Sequence, residues 1–175
     1  MNVRAALMRN SSGLHYAVRI LIGTTALWLL LRKVGDTHPI WAIISLIIVT
    51  EPDVKMALAT FRARIYNTLI GCAVGLLFLF IAGPKDWVLP LALTATVLVS
   101  IRLTRLEASW RIAPIAAVIV ISSSLVSHSK SVGLQAAFQR TGEVFLGGAT
   151  ALAIAWILSR FWIPAETPPE NRMPG

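Results

Sequence analysis

The sequence predicts an all-α integral membrane protein with six transmembrane helices, and three observations lead to this fold class. Hydrophobic residues make up 56% of the 175-residue chain and charged residues only 14%, whereas about a quarter of the residues in soluble domains are charged. The mean hydropathy is +0.72. The apolar residues gather in segments separated by short polar breaks, and basic residues flank those segments. A soluble fold of this size could not hide so much apolar surface.

Six apolar segments follow one another along the chain. Their approximate bounds are 13–31, 38–51, 64–82, 87–101, 111–127 and 134–161. The first is interpreted as an uncleaved transmembrane helix, because Arg32 and Lys33 follow it instead of a small-residue cleavage site. The second and fifth are shorter than the roughly 20 residues of a full span. They therefore tilt, extend into their polar flanks or pack inside the protein.

The chain divides into three parts on this basis. Residues 1–12 are a predicted cytoplasmic N-terminus, residues 13–162 a six-helix membrane domain, and residues 163–175 a proline-rich, disordered cytoplasmic tail. With both termini in the cytoplasm, eleven of the 16 lysines and arginines lie near the inner ends of the segments and five near the outer ends. This asymmetry predicts a multi-pass protein of a bacterial-type inner membrane with both termini inside.

A weak internal repeat divides the membrane domain into two halves. Residues 64–82 align with residues 140–158, and five of the nineteen aligned positions are identical. Upstream, Pro39–Ala42 aligns with Pro114–Ala117. Because each half holds three helices, an odd number, the second half must cross the membrane in the opposite sense. We therefore expect two inverted repeats, at about 13–82 and 87–161, an arrangement common in transporters with sites near the repeat interface.

Each repeat carries a polar helix face. Arg64 and Asn67 lie on one face, three residues apart, and Arg140 and Glu143 do the same in the second half. These four residues are the predicted substrate path, with Arg64 near the cytoplasmic mouth and Arg140 near the outer one. Two alternatives stay open: Arg64 reaches lipid headgroups, as we expect of Arg62, or Arg140 and Glu143 form only an intrahelical salt bridge.

Small residues continue these two faces and are expected to pack helices closely together. They are Gly71, Gly75, Gly147 and Ala151.

Segment 38–75 resembles the fusaric acid resistance and aromatic acid exporter family, and the resemblance extends over about residues 13–161. The matching positions in the first half are Pro52, Arg64, Asn67, Thr68, Gly71 and Gly75, with Asn67 in place of the usual glycine. The second half is similar at Arg140, Glu143 and Gly147. The resemblance implies an inner-membrane exporter or channel for organic anions, chiefly aromatic carboxylates. A more distant likeness to plant aluminium-activated malate transporters implies an arginine-lined pore in a dimer.

Two functions remain in competition at this point. The first is a transporter or channel for organic anions, and the alternative is a non-transporting scaffold or partner subunit of a larger assembly. An enzyme is not expected, because no metalloprotease, nucleophile-elbow or phosphate-loop motif occurs. We expect no catalytic residue, metal or cofactor. The expected partners are membrane lipid, a small organic anion and a second copy of the chain, in a homodimer or larger assembly, without nucleic acid.

Overall fold

The computed structural model describes residues 3–34, 39–51, 53–103 and 109–161. Six α-helices run through these ranges, and a short 3₁₀ turn, Ser109–Ile112, precedes the fifth. The helices are α1 (Val3–Val34), α2 (Ile40–Val49), α3 (Val54–Ala82), α4 (Val88–Leu103), α5 (Ala113–Ser127) and α6 (Lys130–Phe161). No strand occurs in the described ranges. The predicted all-α fold class is confirmed.

Three of the helices are long and apolar enough to cross a membrane. The candidate spans are Gly13–Lys33 within α1, all of α3, and Lys130–Arg160 within α6. The other three helices are apolar but hold 10, 16 and 15 residues, which corresponds to about 15, 24 and 22 Å. The chain is therefore a multi-pass membrane protein, while six complete spans remain a prediction.

Helices α3 and α6 begin earlier than the hydrophobic pattern predicts. Asp53 caps α3, because its carboxylate accepts a hydrogen bond from the backbone N–H of Lys55 at 3.1 Å. The helix then runs through Arg62 and Arg64 without a break, since arginine is a good helix former. Arg64 is consequently the eleventh residue of α3, well inside the helix and not at its mouth. The predicted tail at 163–175 lies outside the described residues.

Helices α3 and α6 form the centre of the bundle and run in opposite directions. Phe61, near the start of α3, meets Phe145 of α6 with ring centroids 6.0 Å apart. Farther along α3, the Cys72 sulfur lies 3.8 Å from the carbonyl oxygen of Ala137. Helix α2 packs mainly on α6 and helix α5 mainly on α3, while α1 and α4 lie beside these pairs.

Two hydrogen bonds identify the two ends of the bundle. Near one end, Arg19 Nη1 of α1 donates to the carbonyl of Glu51, between α2 and α3, at 2.8 Å. At the other end, Lys130 Nζ of α6 donates to the carbonyl of Phe80 in α3 at 3.1 Å. These contacts place the middle of α1 beside the end of α2, and the start of α6 beside the end of α3.

Two apolar clusters hold the bundle together. One, which includes Leu27 and Leu46, joins α1, α2 and α6, and the other, which includes Leu79 and Val120, joins α3, α4, α5 and α6. The outer surface is also apolar, with large side chains such as Leu77 more than half exposed. A surface of this kind faces lipid tails without the cost it would have in water.

Candidate functional site

Three charged side chains are buried in the described part of the bundle. They are Arg64, Arg140 and Glu143, which are 3, 4 and 5% exposed. Charged residues inside membrane helices are costly and usually face a partner or a polar path. The sequence predicted all three as lining residues of such a path.

Arg64 reaches from α3 to α2. Its Nε donates to Ser45 Oγ at 3.3 Å, and Ser45 Oγ in turn donates to the carbonyl of Trp41 at 2.9 Å. Arg62, two residues earlier in the chain, is exposed. The buried position of Arg64 leaves its side chain without access to lipid headgroups, so only Arg62 remains suited to that role.

Arg140 reaches from α6 to the same helix. Its guanidinium carbon lies 4.2 Å from the centroid of the Trp41 ring, a distance that permits a cation–π interaction. Trp41 and Ser45 are one turn apart on α2, so the two arginines bind successive turns of one helix. The positive charge of Arg140 also repels that of Arg64. The expectation that the arginines lie at opposite mouths is therefore wrong, because both helices place them against α2.

The ion pair between Arg140 and Glu143 is long. Arg140 Nη1 lies 3.8 Å from Glu143 Oε2, whereas charge-assisted hydrogen bonds are about 2.7–2.9 Å long. The other carboxylate oxygen, Oε1, accepts a hydrogen bond from Gln139 Nε2 at 3.1 Å. Arg140 Nε and Nη1 are buried and have no hydrogen-bond partner in the described residues. The arrangement leaves buried donors beside a carboxylate that does not satisfy them.

Asn67 is fully buried and makes two side-chain hydrogen bonds within the bundle. Its Nδ2 donates to the carbonyl of Ala63 at 2.8 Å, and its Oδ1 accepts from Ser100 Oγ at 2.8 Å. Ser100 lies on α4. Asn67 therefore ties α3 to α4, and these two hydrogen bonds join it to Ala63 and Ser100 and not to the arginines.

The predicted packing residues lie at tight helix contacts. A Cβ atom on Gly71 would collide with the carbonyl oxygen of Ala113 on α5, and one on Gly147 would collide with the carbonyl oxygen of Ala42 on α2. Gly75 approaches the backbone of Ala117. Close approach of this kind is possible only for residues without a side chain. Ala151 belongs to the apolar cluster of α1, α2 and α6.

Comparison with known proteins identifies the family. A profile of the fusaric acid resistance protein-like family matches residues 21–154, which is most of the chain and includes all three buried charges. The chain belongs to this family. Neither a curated protein nor a solved structure matches the chain.

Membership in the fusaric acid resistance protein-like family confirms the resemblance found in the sequence. The family is associated with membrane transport and resistance, not with enzymatic catalysis. It also agrees with a multi-pass protein built from apolar helices. The identity of the transported compound is a separate question, which the geometry of the buried charges addresses.

The sequence did not indicate two residues of this fusaric acid resistance-like site, Trp41 and Ser45. Trp41 lies near the end of an apolar segment, where a tryptophan is expected at the membrane interface, and a lone serine in an apolar helix carries no motif. One signal was available: Ser45 is the only side chain with a hydroxyl, amide or charge in the ten residues of α2. Trp41 lies four residues before it, on the same helix face.

Proposed function

We propose that this protein is an inner-membrane transporter or channel that exports organic anions, aromatic carboxylates among them, and that Arg64 and Arg140 bind the anion. One observation carries the proposal. The buried charges of the described bundle are two guanidinium groups and one carboxylate, which leaves one positive charge uncompensated. Buried charges are paired in stable proteins, because an unpaired charge loses its hydration without a replacement.

A carboxylate supplies what this site lacks. It is negatively charged, and its oxygens can accept hydrogen bonds from Arg140 Nε and Nη1, which have no hydrogen-bond partner among the described residues. Ser45 accepts from Arg64 and Trp41 packs against Arg140, so α2 restrains both cations before an anion arrives. Restrained groups lose less entropy on binding than free ones.

The two halves of the chain are proposed to be inverted repeats, and one shared position and two contacts support this. Arg64 and Arg140 are each the eleventh residue of their helices. Gly71 packs on the carbonyl of Ala113 in the other half, and Gly147 on that of Ala42. By this criterion Ala42 is equivalent to Ala113, one helical turn from the sequence alignment with Ala117. The anion site then lies where the two halves meet, as in other transporters of this kind.

The alternative function, a scaffold that binds other helices through small residues, loses its main support. Gly71 and Gly147 are both occupied by contacts inside the subunit. Their faces are therefore not available to partner proteins. No other described feature favours a scaffold over a transporter.

Reconstituted flux tests the proposal. The purified protein is inserted into liposomes, and the release of labelled benzoate is followed. We expect R64A and R140A to lower the flux by about tenfold or more, because each variant removes charge-assisted hydrogen bonds of roughly 1.5–3 kcal/mol. R64K and R140K keep the charge but lose the planar fork, so their losses should be partial.

The matched control is R62A, which removes an exposed arginine two residues from Arg64. It should transport almost normally. Absence of flux with the wild-type protein, or equal flux from all three alanine variants, would contradict the proposed function.

A further inference from the structure

Glu143 is held away from the arginine with which it forms an ion pair. Gln139 precedes it by one turn of α6 and donates to Oε1 at 3.1 Å, while Oε2 remains 3.8 Å from Arg140 Nη1. A carboxylate whose only role was to neutralise Arg140 would be expected at hydrogen-bonding distance. Glu143 therefore contributes its charge to the site while leaving the Arg140 donors to another acceptor.

The net charge of the occupied site then depends on the charge of the bound anion. The two arginines and Glu143 together carry one positive charge in the described bundle. A bound anion with one negative charge makes the site neutral, whereas a dianion leaves one negative charge in excess. An excess charge in a poorly solvated interior is unfavourable, and the repulsion between Glu143 and the second carboxylate adds to it.

We propose that Glu143 determines the valence of the transported anion and selects monocarboxylates over dicarboxylates. This inference rests on the proposed anion-binding function of Arg64 and Arg140 and adds the charge class of the substrate. Glu143 acts as a specificity-determining residue, because its carboxylate occupies the place that the second negative charge of a dianion would take near the guanidinium groups.

The test compares two probes that share one aromatic ring. Benzoate carries one carboxylate and phthalate two, and the measurement is the ratio of their fluxes in liposomes at a pH where every carboxyl is ionised. We expect the wild-type protein to move benzoate about tenfold faster or more, since like charges brought together at a binding site are strongly disfavoured. E143Q removes the negative charge at nearly constant shape, and it should shift the ratio towards phthalate by about tenfold.

Two variants control for damage to the fold. E143D keeps the charge and should keep the preference for benzoate. E51Q makes the same chemical change in the connection between α2 and α3, where the backbone carbonyl of Glu51 accepts a hydrogen bond from Arg19. This variant should leave the benzoate-to-phthalate ratio unchanged. If E143Q does not fold, competition for labelled benzoate bound to the wild-type protein decides the question, because phthalate should compete poorly.

The possible failures are distinguishable. If the wild-type protein moves benzoate and E143Q has the same benzoate-to-phthalate ratio, the inference on Glu143 is overturned and the anion transporter stands. Equal competition by phthalate at the wild-type site has the same meaning. If the wild-type protein neither moves nor binds either probe, the proposed function and the inference fall together.

Discussion

The guanidinium of Arg140 lies over the indole ring of Trp41, with 4.2 Å between the guanidinium carbon and the ring centroid. The two residues come from helices that start ninety positions apart in the chain, α2 and α6. Their contact fixes the position of the Arg140 guanidinium, whose Nε and Nη1 have no hydrogen-bond partner in the part of the chain that the structure describes. It also makes Trp41 the residue through which the position of Arg140 can be altered without removing its charge.

Replacing Trp41 should weaken transport, and the flux should fall further when the aromatic ring is removed than when it is replaced by a smaller one. A cation–π contact in a desolvated site contributes about 2 kcal/mol, so W41A should lower benzoate flux at low substrate concentration by roughly tenfold or more. W41F keeps an aromatic face, so its benzoate flux should lie between those of W41A and the wild type. The control is W156A, since Trp156 of α6 is 64% exposed. Equal flux from W41A and W156A would show that the contact has no part in transport.

The glycine contacts should be essential for stability. Gly147→Ala places a methyl group against the carbonyl of Ala42, and Gly71→Ala against that of Ala113. Overpacking of this kind costs about 1–3 kcal/mol, so both variants should unfold at a lower temperature in detergent. Gly142→Ala is the matched control on α6, because a Cβ there meets nothing within 4 Å. A Gly147→Ala variant as stable as Gly142→Ala would disprove the tight contact.

Reporter fusions should place the two ends of the bundle on opposite sides of the membrane. The Lys130–Phe80 contact marks one end and the Arg19–Glu51 contact marks the other. A reporter inserted within residues 128–132 should therefore be extracytoplasmic, and one at Gly175 cytoplasmic, because the basic residues are concentrated on the inner side. The same location for both reporters would contradict the topology and the inverted repeats.

The functional unit should contain at least two chains. One set of six helices leaves little space for both a packed bundle and a conduit. The small-residue faces at Gly71 and Gly147 are filled within the subunit, so the dimer interface must use other surface. The groove lined by Tyr66 and Phe145, beside exposed Arg62, offers apolar surface for this purpose. Native mass measurement in mild detergent should show a dimer or larger assembly, and a transporting monomer would refute it.

The helices could be predicted from the sequence because lipid-facing and buried side chains are both apolar. Each helix therefore corresponds to a run of apolar residues between polar breaks. The depth of Arg64 within α3 could not be predicted, because the charges of Arg62 and Arg64 indicate the boundary of an apolar segment. Asp53, the capping residue of α3, marks the true start. The common docking of Arg64 and Arg140 on α2 depends on how three helices pack, which the spacing along one helix does not encode.

The depth of the two arginines has an electrical consequence. Arg64 lies four residues from the midpoint of α3 and Arg140 about five residues from that of α6, which is roughly 6 to 8 Å. If α3 and α6 are centred in the membrane, an anion held between the two arginines, as proposed above, has crossed about half of it. A full crossing changes the energy of one charge by about 2.3 kcal/mol per 100 mV, so occupancy of the site from either side should depend on voltage, by about 1 kcal/mol per 100 mV for a monoanion. In a cell with a negative interior, that field drives the anion outwards from the site.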